Sequence, residues 1–209
     1  MKTLVILASI LGDRSNSRKL VDHLIQQVRA IEPDGSVRLR DLGQDPVPYF
    51  DGATAGALFT PADQRTEAQA AIVAKSDELV NELFDADRIV FAVPVYNFGL
   101  PAQLKSYIDY IARAGLTFRY NAQGVPEGLI RGKQVVVLGA RGGKAEGTAD
   151  DTLSPYLKQV LAFVGLADPA FIYAEGMAMG DAAAQEGLAT ARQRIDALLG
   201  APGQQRLAA

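Results

Sequence analysis

The sequence predicts one α/β domain in which a five-stranded parallel sheet is covered by helices on both faces. Three observations predict it. Five short apolar runs recur along the chain, the stretches between them carry apolar residues at helical spacing, and polar turns follow the first, third and fourth runs. With 209 residues and 48% hydrophobic content, the chain suits one sizeable core rather than two.

The first run, residues 3–8, reads as a strand buried on both faces. With Lys2 before it and Ile10 and Leu11 after it, the run superficially resembles a short secretory signal. However, no small-x-small cleavage site follows, and the chain leads into a polar loop. Helix 18–31 comes next, with Leu20, Leu24, Val28 and Ile31 on one stripe and Ser17 or Ser15 as its cap. The second strand is 37–40. Residues 44–64, rich in Pro, Gly and Ala, form a long connection of the kind that serves as a lid or a partner contact. Helix 66–84 carries Ile72, Leu79 and Leu83, and strand 88–93 follows.

Pro101 suits the first turn of helix 102–113, which repeats Leu104, Ile108 and Ile111. Residues 118–130, with Gly124, Pro126 and Gly128 between apolar ends, form an excursion or a hairpin over the same end of the sheet as the polar loops. Strand 134–140, helix 153–164 capped by Gly165, strand 170–174 and a last helix from about residue 181 to 199 complete the domain, set at 1–200. Residues 201–209 are expected to be a disordered tail.

Charge and composition narrow the function. A net charge of −3 offers no electrostatic footprint for nucleic acid or an anionic membrane, so small molecules are the expected partners. No run approaches transmembrane length. Without cysteine there is no thiolate nucleophile or thiolate metal site, and one histidine forms no ligand cluster, so no metal is expected. The lack of cysteine is compatible with a reducing compartment, and the expected location is the cytoplasm.

In an open parallel sheet, ligands bind outside the carboxyl ends of the strands, where three polar segments fall here. Ser9, Ser15, Asn16 and Ser17 offer hydroxyl, amide and backbone donors at a helix start, where the dipole favours a phosphate. Capping of the helix by Ser15 and Ser17 is the plainer alternative. Pro94, Val95, Tyr96, Asn97 and Phe98, followed by Gly99, supply aromatic rings and a carboxamide suited to a flat heteroaromatic ring. A strand-to-helix turn with merely packed aromatics is the alternative there. Ala140, Arg141, Gly142 and Gly143 allow close approach of backbone N–H groups to a ligand edge, or form an ordinary turn. Neither G-x-x-x-x-G-K-[ST] nor G-x-G-x-x-G is present, which disfavours a nucleoside triphosphate or an ordinary dinucleotide. Asp85, Asp87, Asp109 and Asp150-Asp151 read as helix caps or solvated charge, and His23 reads as a surface residue of the first helix.

Taken together, Ser15-Asn16-Ser17, Tyr96-Asn97-Phe98, Ala112-Arg113-Ala114-Gly115, Thr117-Phe118-Arg119-Tyr120, Pro126-Glu127-Gly128-Leu129, Arg141-Gly142-Gly143 and Ala174-Glu175-Gly176 resemble the FMN-dependent NADH-azoreductase family. This is a quinone-reductase group of flavodoxin-like fold, and the likeness runs from the first strand to about Met179. It implies the flavodoxin-like strand order 2-1-3-4-5. It also implies an FMN phosphate on Ser9 and Ser15 to Ser17, ring and ribityl contacts from Val95 to Phe98, and a pyrimidine edge on Ala140 to Gly143. The active site would lie at a homodimer interface, with Tyr120 and Phe163 shaping the substrate pocket. Two positions depart from the family pattern: Ala140 replaces a frequent serine, and Val95 replaces a frequent methionine.

The implied activity is ping-pong reduction of quinones and azo compounds with NADH or NADPH as donor. The flavin does the hard chemistry, and no side-chain nucleophile is required. The product proton would come from water or from Tyr120. An FMN-carrying electron-transfer protein serving a protein partner would use the same three loops, and a cofactor-free α/β binding protein is a third class.

Overall fold

In the computed structural model, which describes residues 1–200, the chain forms β1 (Lys2–Leu7), α1 (Asn16–Ile31), β2 (Ser36–Asp41), α2 (Gly52–Phe59), α3 (Glu67–Asp85), β3 (Arg88–Pro94) and α4 (Ala102–Ile111). It continues with β4 (Phe118–Tyr120), β5 (Pro126–Gly128), β6 (Gln134–Ala140), α5 (Leu153–Val164), β7 (Ala170–Ala174) and α6 (Asp181–Gly200). The tail expected at 201–209 lies outside the described residues.

Five strands pair in parallel in the order β2-β1-β3-β6-β7, which is the expected 2-1-3-4-5 once the β4–β5 pair is set aside. The register aligns Leu39, Val5, Val90, Val136 and Ala170 across the sheet. Because successive strand side chains point to opposite faces, this row, with Leu7, Ala92, Leu138 and Ile172, belongs to the face covered by α1 and α6. There Val5, Val90, Val136 and Ile172 pack on Leu20, Leu24, Val28, Ala191 and Ile195. On the other face Leu4, Ile6, Ile89, Phe91, Val93 and Val137 pack against Leu79 and Leu83 of α3, Leu104 and Tyr107 of α4, and Leu157 and Leu161 of α5. Phe91 is fully buried at the centre of that layer, and its truncation to alanine would cost about 3–5 kcal/mol.

Helix ends follow their capping residues. Ser15, not Ser17, is the N-cap of α1, and its hydroxyl accepts from the Arg18 amide at 3.4 Å. Thr66 and Gln69 form a reciprocal capping box at α3. Gly165 ends α5 with φ +98°, a left-handed conformation that glycine adopts without a Cβ penalty.

Two sequence expectations are corrected. The 44–64 connection contains α2, capped by Asp51 Oδ1 on the Thr54 amide at 2.8 Å, and a 3₁₀ turn at Ala62–Gln64. The helix was hidden because Gly52, Ala53, Ala55, Gly56 and Ala57 carry no apolar period. Its anchor is Thr54, whose hydroxyl lies 3.3 Å from Tyr110 Oη, while Phe50 packs edge-on to the Tyr110 ring.

The second correction concerns residues 118–130. They do form an antiparallel hairpin, with Phe118 opposite Gly128 and Tyr120 opposite Pro126. It stands at the amino end of the sheet, not over the loops at the carboxyl end. The preceding α4 leaves the carboxyl end of β3, and its 10 residues carry the chain back by about 15 Å. The base of the hairpin docks on the last turn of α5, where the Ile130 amide donates to Val164 O at 3.1 Å. A Cβ on Gly128 would sit 2.1 Å from Gly165 N, so the two backbones meet with no side chain between them.

Three of the acidic residues singled out in the sequence are engaged by nearby groups. Asp85 pairs with Lys2, Asp87 accepts from the Lys2 amide at 2.7 Å, and Asp109 pairs with Lys105 one helical turn away. His23 is half-buried rather than free on the surface: its Nε2 meets Asp196 Oδ1 at 2.7 Å and joins α1 to α6. Among the described residues no helix is long and apolar enough to cross a membrane, and no three His, Asp, Glu or Cys side chains gather to hold a metal.

Candidate active site

Parallel pairing brings the carboxyl ends of β1, β3 and β6 side by side, so the three loops that leave them share one crevice. The first loop leaves β1 through Ala8, whose amide still donates to Ala92 O at 3.0 Å. It then bends through the 3₁₀ turn Gly12–Arg14 into the N-terminus of α1. A recess there is lined by Ser9, Gly12, Ser15, Ser17, Arg18 and Asp41. Ser15 and Ser17 are almost fully buried, with their hydroxyls 3.0 Å apart. The amides of Asn16 and Ser17 have no partner among the described residues, as expected in a first helical turn. Capping therefore leaves donors over: Ser15 Oγ serves the Arg18 amide, while the amides of Asn16 and Ser17 have no partner among the described residues and the Ser17 hydroxyl meets only Ser15. Asp41 is the one acid on the recess, and its Oδ1 is engaged by the amides of Gly43 and Gln44 at 3.0 and 3.2 Å. Arg14 is exposed at the end of the 3₁₀ turn, and the Asn16 carboxamide oxygen accepts from Lys19 Nζ at 2.9 Å.

The second loop is a tight turn. Pro94 ends β3 opposite Ala140, and the Val95 amide donates to Ala140 O at 2.9 Å. Tyr96 and Gly99 exchange both backbone hydrogen bonds at 3.0 Å, leaving Asn97 and Phe98 at φ +48° and +66°. Asparagine tolerates that region, but phenylalanine does so at a cost. The turn raises the Phe98 ring to 83% exposure and presents an Asn97 carboxamide with no partner among the described residues. Tyr96 turns inward, its hydroxyl 3.0 Å from Ser9 Oγ.

The third loop runs against the segment after β7. The Arg141 amide donates to Ala174 O, and the carbonyls of Arg141, Gly142 and Gly143 accept from Met177, Ala178 and Gly176 at 3.0–3.1 Å. The amides of Gly142 and Gly143 are thereby left as adjacent donors without a partner among the described residues. A Cβ on Gly143 would meet nothing within 4 Å, so that turn opens onto free space. Ala140 is buried at the end of β6.

The Arg141 side chain turns away from the backbone donors of its own loop. It is buried, not offered to the crevice: the guanidinium stacks 3.9 Å from the Tyr173 ring centroid and reaches Asp151 Oδ1 at 3.3 Å. Burial alone would raise the Asp151 carboxyl, yet hydrogen bonds from Ser154 and the charge of Arg141 outweigh it and hold the acid below its usual range. Asp151, Thr152, Ser154, Tyr173 and Glu175 surround the third loop and were not read from the sequence as site residues. The clue was an acid just before the helical pattern, the position of a buried cap.

Tyr120 and Phe163 are joined through Phe118, away from the crevice. Phe118 stacks at a tilt on Phe163, with centroids 4.2 Å apart, and meets the Tyr120 ring edge-on at 5.8 Å. Phe163 lies in the last turn of α5, whose 12 residues descend about 18 Å from the carboxyl end of the sheet.

The donor set fits a ribityl-phosphate flavin. Hydroxyls and amides for a phosphate lie at one end, an exposed ring and a carboxamide in the middle, and two free amides at the other end for a pyrimidine edge. A family model described as a flavodoxin-like fold matches residues 1–199. An FMN-dependent NADH:quinone oxidoreductase of Bordetella petrii is 80% identical over 205 residues, covering 98% of this chain and 99% of the relative. The chain belongs to this family. An azoreductase structure from Bacillus anthracis superposes with a TM-score of 0.86 at 28% identity, covering 95% of this chain and 98% of that one. An FMN-dependent NADH-azoreductase from the same species, solved in complex with FMN, gives 0.84 at 25% identity over 95% and 99% of the two chains. Family membership covers the flavodoxin-like sheet and the three loops alike, since the matched residues include both.

Proposed function

We propose that this chain binds FMN across the three loops and catalyses NADH-dependent reduction of quinones and azo compounds. The observation that carries the reading is that the three loops form one connected unit. Ser9 is hydrogen-bonded to Tyr96, Val95 to Ala140, and the free amides of Gly142 and Gly143 lie beyond. The names of the relatives, FMN-dependent NADH:quinone oxidoreductase and azoreductase, support the cofactor, the donor and the acceptor class.

When bound, FMN supplies two-electron hydride chemistry between a reduced nicotinamide and an acceptor. The chain's own residues do the rest. Ser17 and the first-turn amides of α1 would hold the phosphate, with the helix dipole favouring its charge. Asn97 would hydrogen-bond the ring edge, Phe98 would shield it from water, and the Gly142 and Gly143 amides would stabilise negative charge on the pyrimidine side. Donor and acceptor would occupy the site in turn, a ping-pong cycle that calls for no nucleophilic side chain.

Tyr120 and Phe163 reach such a pocket only from a second copy, since within one chain they lie at the opposite end of the sheet. A homodimer in which each hairpin covers the partner's crevice reconciles their position with a substrate role. Exposed apolar side chains on the first two loops, Ile10 and Phe98, are suited to such an interface. We place the enzyme in the cytoplasm, where NADH is available and its cysteine-free sequence meets a reducing environment.

The test is anaerobic spectroscopy of the FMN-loaded protein. NADH should bleach the flavin band and a soluble quinone should restore it; absence of bound flavin would remove the reading. Bound flavin without quinone turnover would leave an electron-transfer protein instead. Tyr120→Ala should change acceptor KM and leave FMN affinity unaltered, and sedimentation should give a dimer.

A further inference from the structure

We propose that Arg141 is a positioning residue of the flavin site, holding the 140–143 turn and the 96–99 turn in one fixed relation without touching the cofactor. The inference rests on the flavin reading above and concerns how the pocket is kept in shape. Arg141 lies directly before the two free glycine amides, yet its side chain is only 6% exposed. Its guanidinium is stacked on Tyr173, bonded to Asp151 Oδ1 and 3.7 Å from Glu175 Oε1. The Tyr173 ring in turn occupies the space above Gly139, where any Cβ would sit 2.2 Å from it.

Each of the two carboxylates also holds backbone. Glu175 Oε1 accepts from the amides of Ala145 and Glu146 at 2.7 and 2.8 Å, which fixes the chain immediately after the 140–143 turn. Asp151 Oδ1 accepts from the Ser154 amide at 3.1 Å, and its Oδ2 from the Ser154 hydroxyl at 2.6 Å, which fixes the start of α5. Ser154 Oγ lies 2.6 Å from Tyr173 Oη, closing the circuit back to the ring under Arg141. The next residue along, Thr152, donates its hydroxyl to the Phe98 carbonyl in the other turn. One buried cation thus anchors two acids, and through them the two turns that would face opposite edges of the flavin.

Charge gives the direction of the effect. Arg141, Asp151 and Glu175 sum to one net negative charge. Removing the guanidinium leaves two unpaired acids beside the amides that would stabilise a reduced, anionic flavin. The midpoint potential should therefore fall. Lysine restores charge but not the planar stack on Tyr173, so it separates electrostatics from geometry.

The experiment compares full-length FMN-loaded parent, Arg141→Met, Arg141→Lys and Thr152→Val by FMN titration, flavin midpoint potential, steady-state kinetics and thermal melting. Arg141→Met should lower the potential and weaken FMN binding roughly ten- to a hundred-fold, the loss expected of a buried charged hydrogen bond. Arg141→Lys should restore the potential more than the affinity. Thr152→Val removes the link to Phe98 without disturbing the buried charges. It should weaken FMN binding by roughly two- to ten-fold at an unchanged melting temperature. If Arg141→Met does not fold, Thr152→Val decides: a parental FMN affinity and kcat would overturn the proposal. Folded Arg141 variants with lower melting temperature but parental potential, affinity and kcat would also overturn it, since the residue would then be structural only. A parent protein that binds no FMN would fail the function proposed above, and that result reads out separately.

Discussion

Ser9 Oγ and Tyr96 Oη lie 3.0 Å apart and join, across 87 positions of sequence, the loop after β1 to the turn after β3. Ser9 Oγ also accepts from the Leu11 amide at 3.2 Å, so the same hydroxyl shapes its own loop and holds its neighbour. Tyr96→Phe keeps the ring and removes only this link. A neutral hydrogen bond of about 1 kcal/mol predicts roughly five-fold weaker FMN binding with little change in stability. Fluorescence titration of FMN checks it, and undiminished affinity would mean that the two loops are held by other contacts.

Phe98 combines a φ of +66° with 83% exposure. Phe98→Gly relieves left-handed strain of about 1–2 kcal/mol and loses little burial, while the flexible glycine returns part of that gain. We expect a melting temperature about 2–4 °C higher for each kcal/mol retained, together with slower quinone turnover. A lower melting temperature would show that the phenyl ring stabilises the apoprotein.

The Gly128–Gly165 approach admits no methyl group. Gly165→Ala adds a Cβ 2.4 Å from Ile130 O and forces alanine to φ +98°, and Gly128→Ala drives one into Gly165 N. Each should lower stability by about 2 kcal/mol or more in urea denaturation, through overpacking that only backbone movement can relieve. A near-neutral result would require the hairpin base to shift freely.

Asp151 carries an acid signature. Its carboxyl is held below the ordinary value of 3.8, so the stabilisation it contributes is present above that pH and is lost as pH falls through the lower folded value. Thermal melts from pH 5 downward should show the parent losing stability in this window more steeply than Asp151→Asn. That variant should start from a lower plateau because Arg141 has lost one of its two ionic partners. Parallel curves would assign the acid sensitivity to other carboxylates.

The sheet was legible because β1, β3 and β6 are apolar runs buried on both faces, and the crevice because polar turns come directly after those same strands. Helix α2 was not legible: Gly52 and Gly56 among alanines give no stripe, and its identity as a helix comes from Asp51 and from packing near Tyr110. The end of the sheet occupied by the 118–130 hairpin could have been read. A ten-residue helix is long enough to return the chain to the amino end, so the hairpin after α4 cannot stand over the loops from which that helix sets out. Ser15 and Ser17 were interchangeable as caps in sequence, and only the bond to the Arg18 amide separates them. The burial of Arg141 had no local signal, because its partners Asp151, Tyr173 and Glu175 come from other stretches of chain.

The bare backbone contact at Gly128 and Gly165 also sets where the hairpin can bend. Its root is clamped to α5, its strands are tied by the Arg119–Glu127 ion pair, and its tip is tightened by Asn121 Oδ1 on the amides of Gln123 and Val125. Tyr120 therefore rides on a stiff arm whose aim is fixed by the orientation of α5, so any retargeting of that ring must move the whole helix with it.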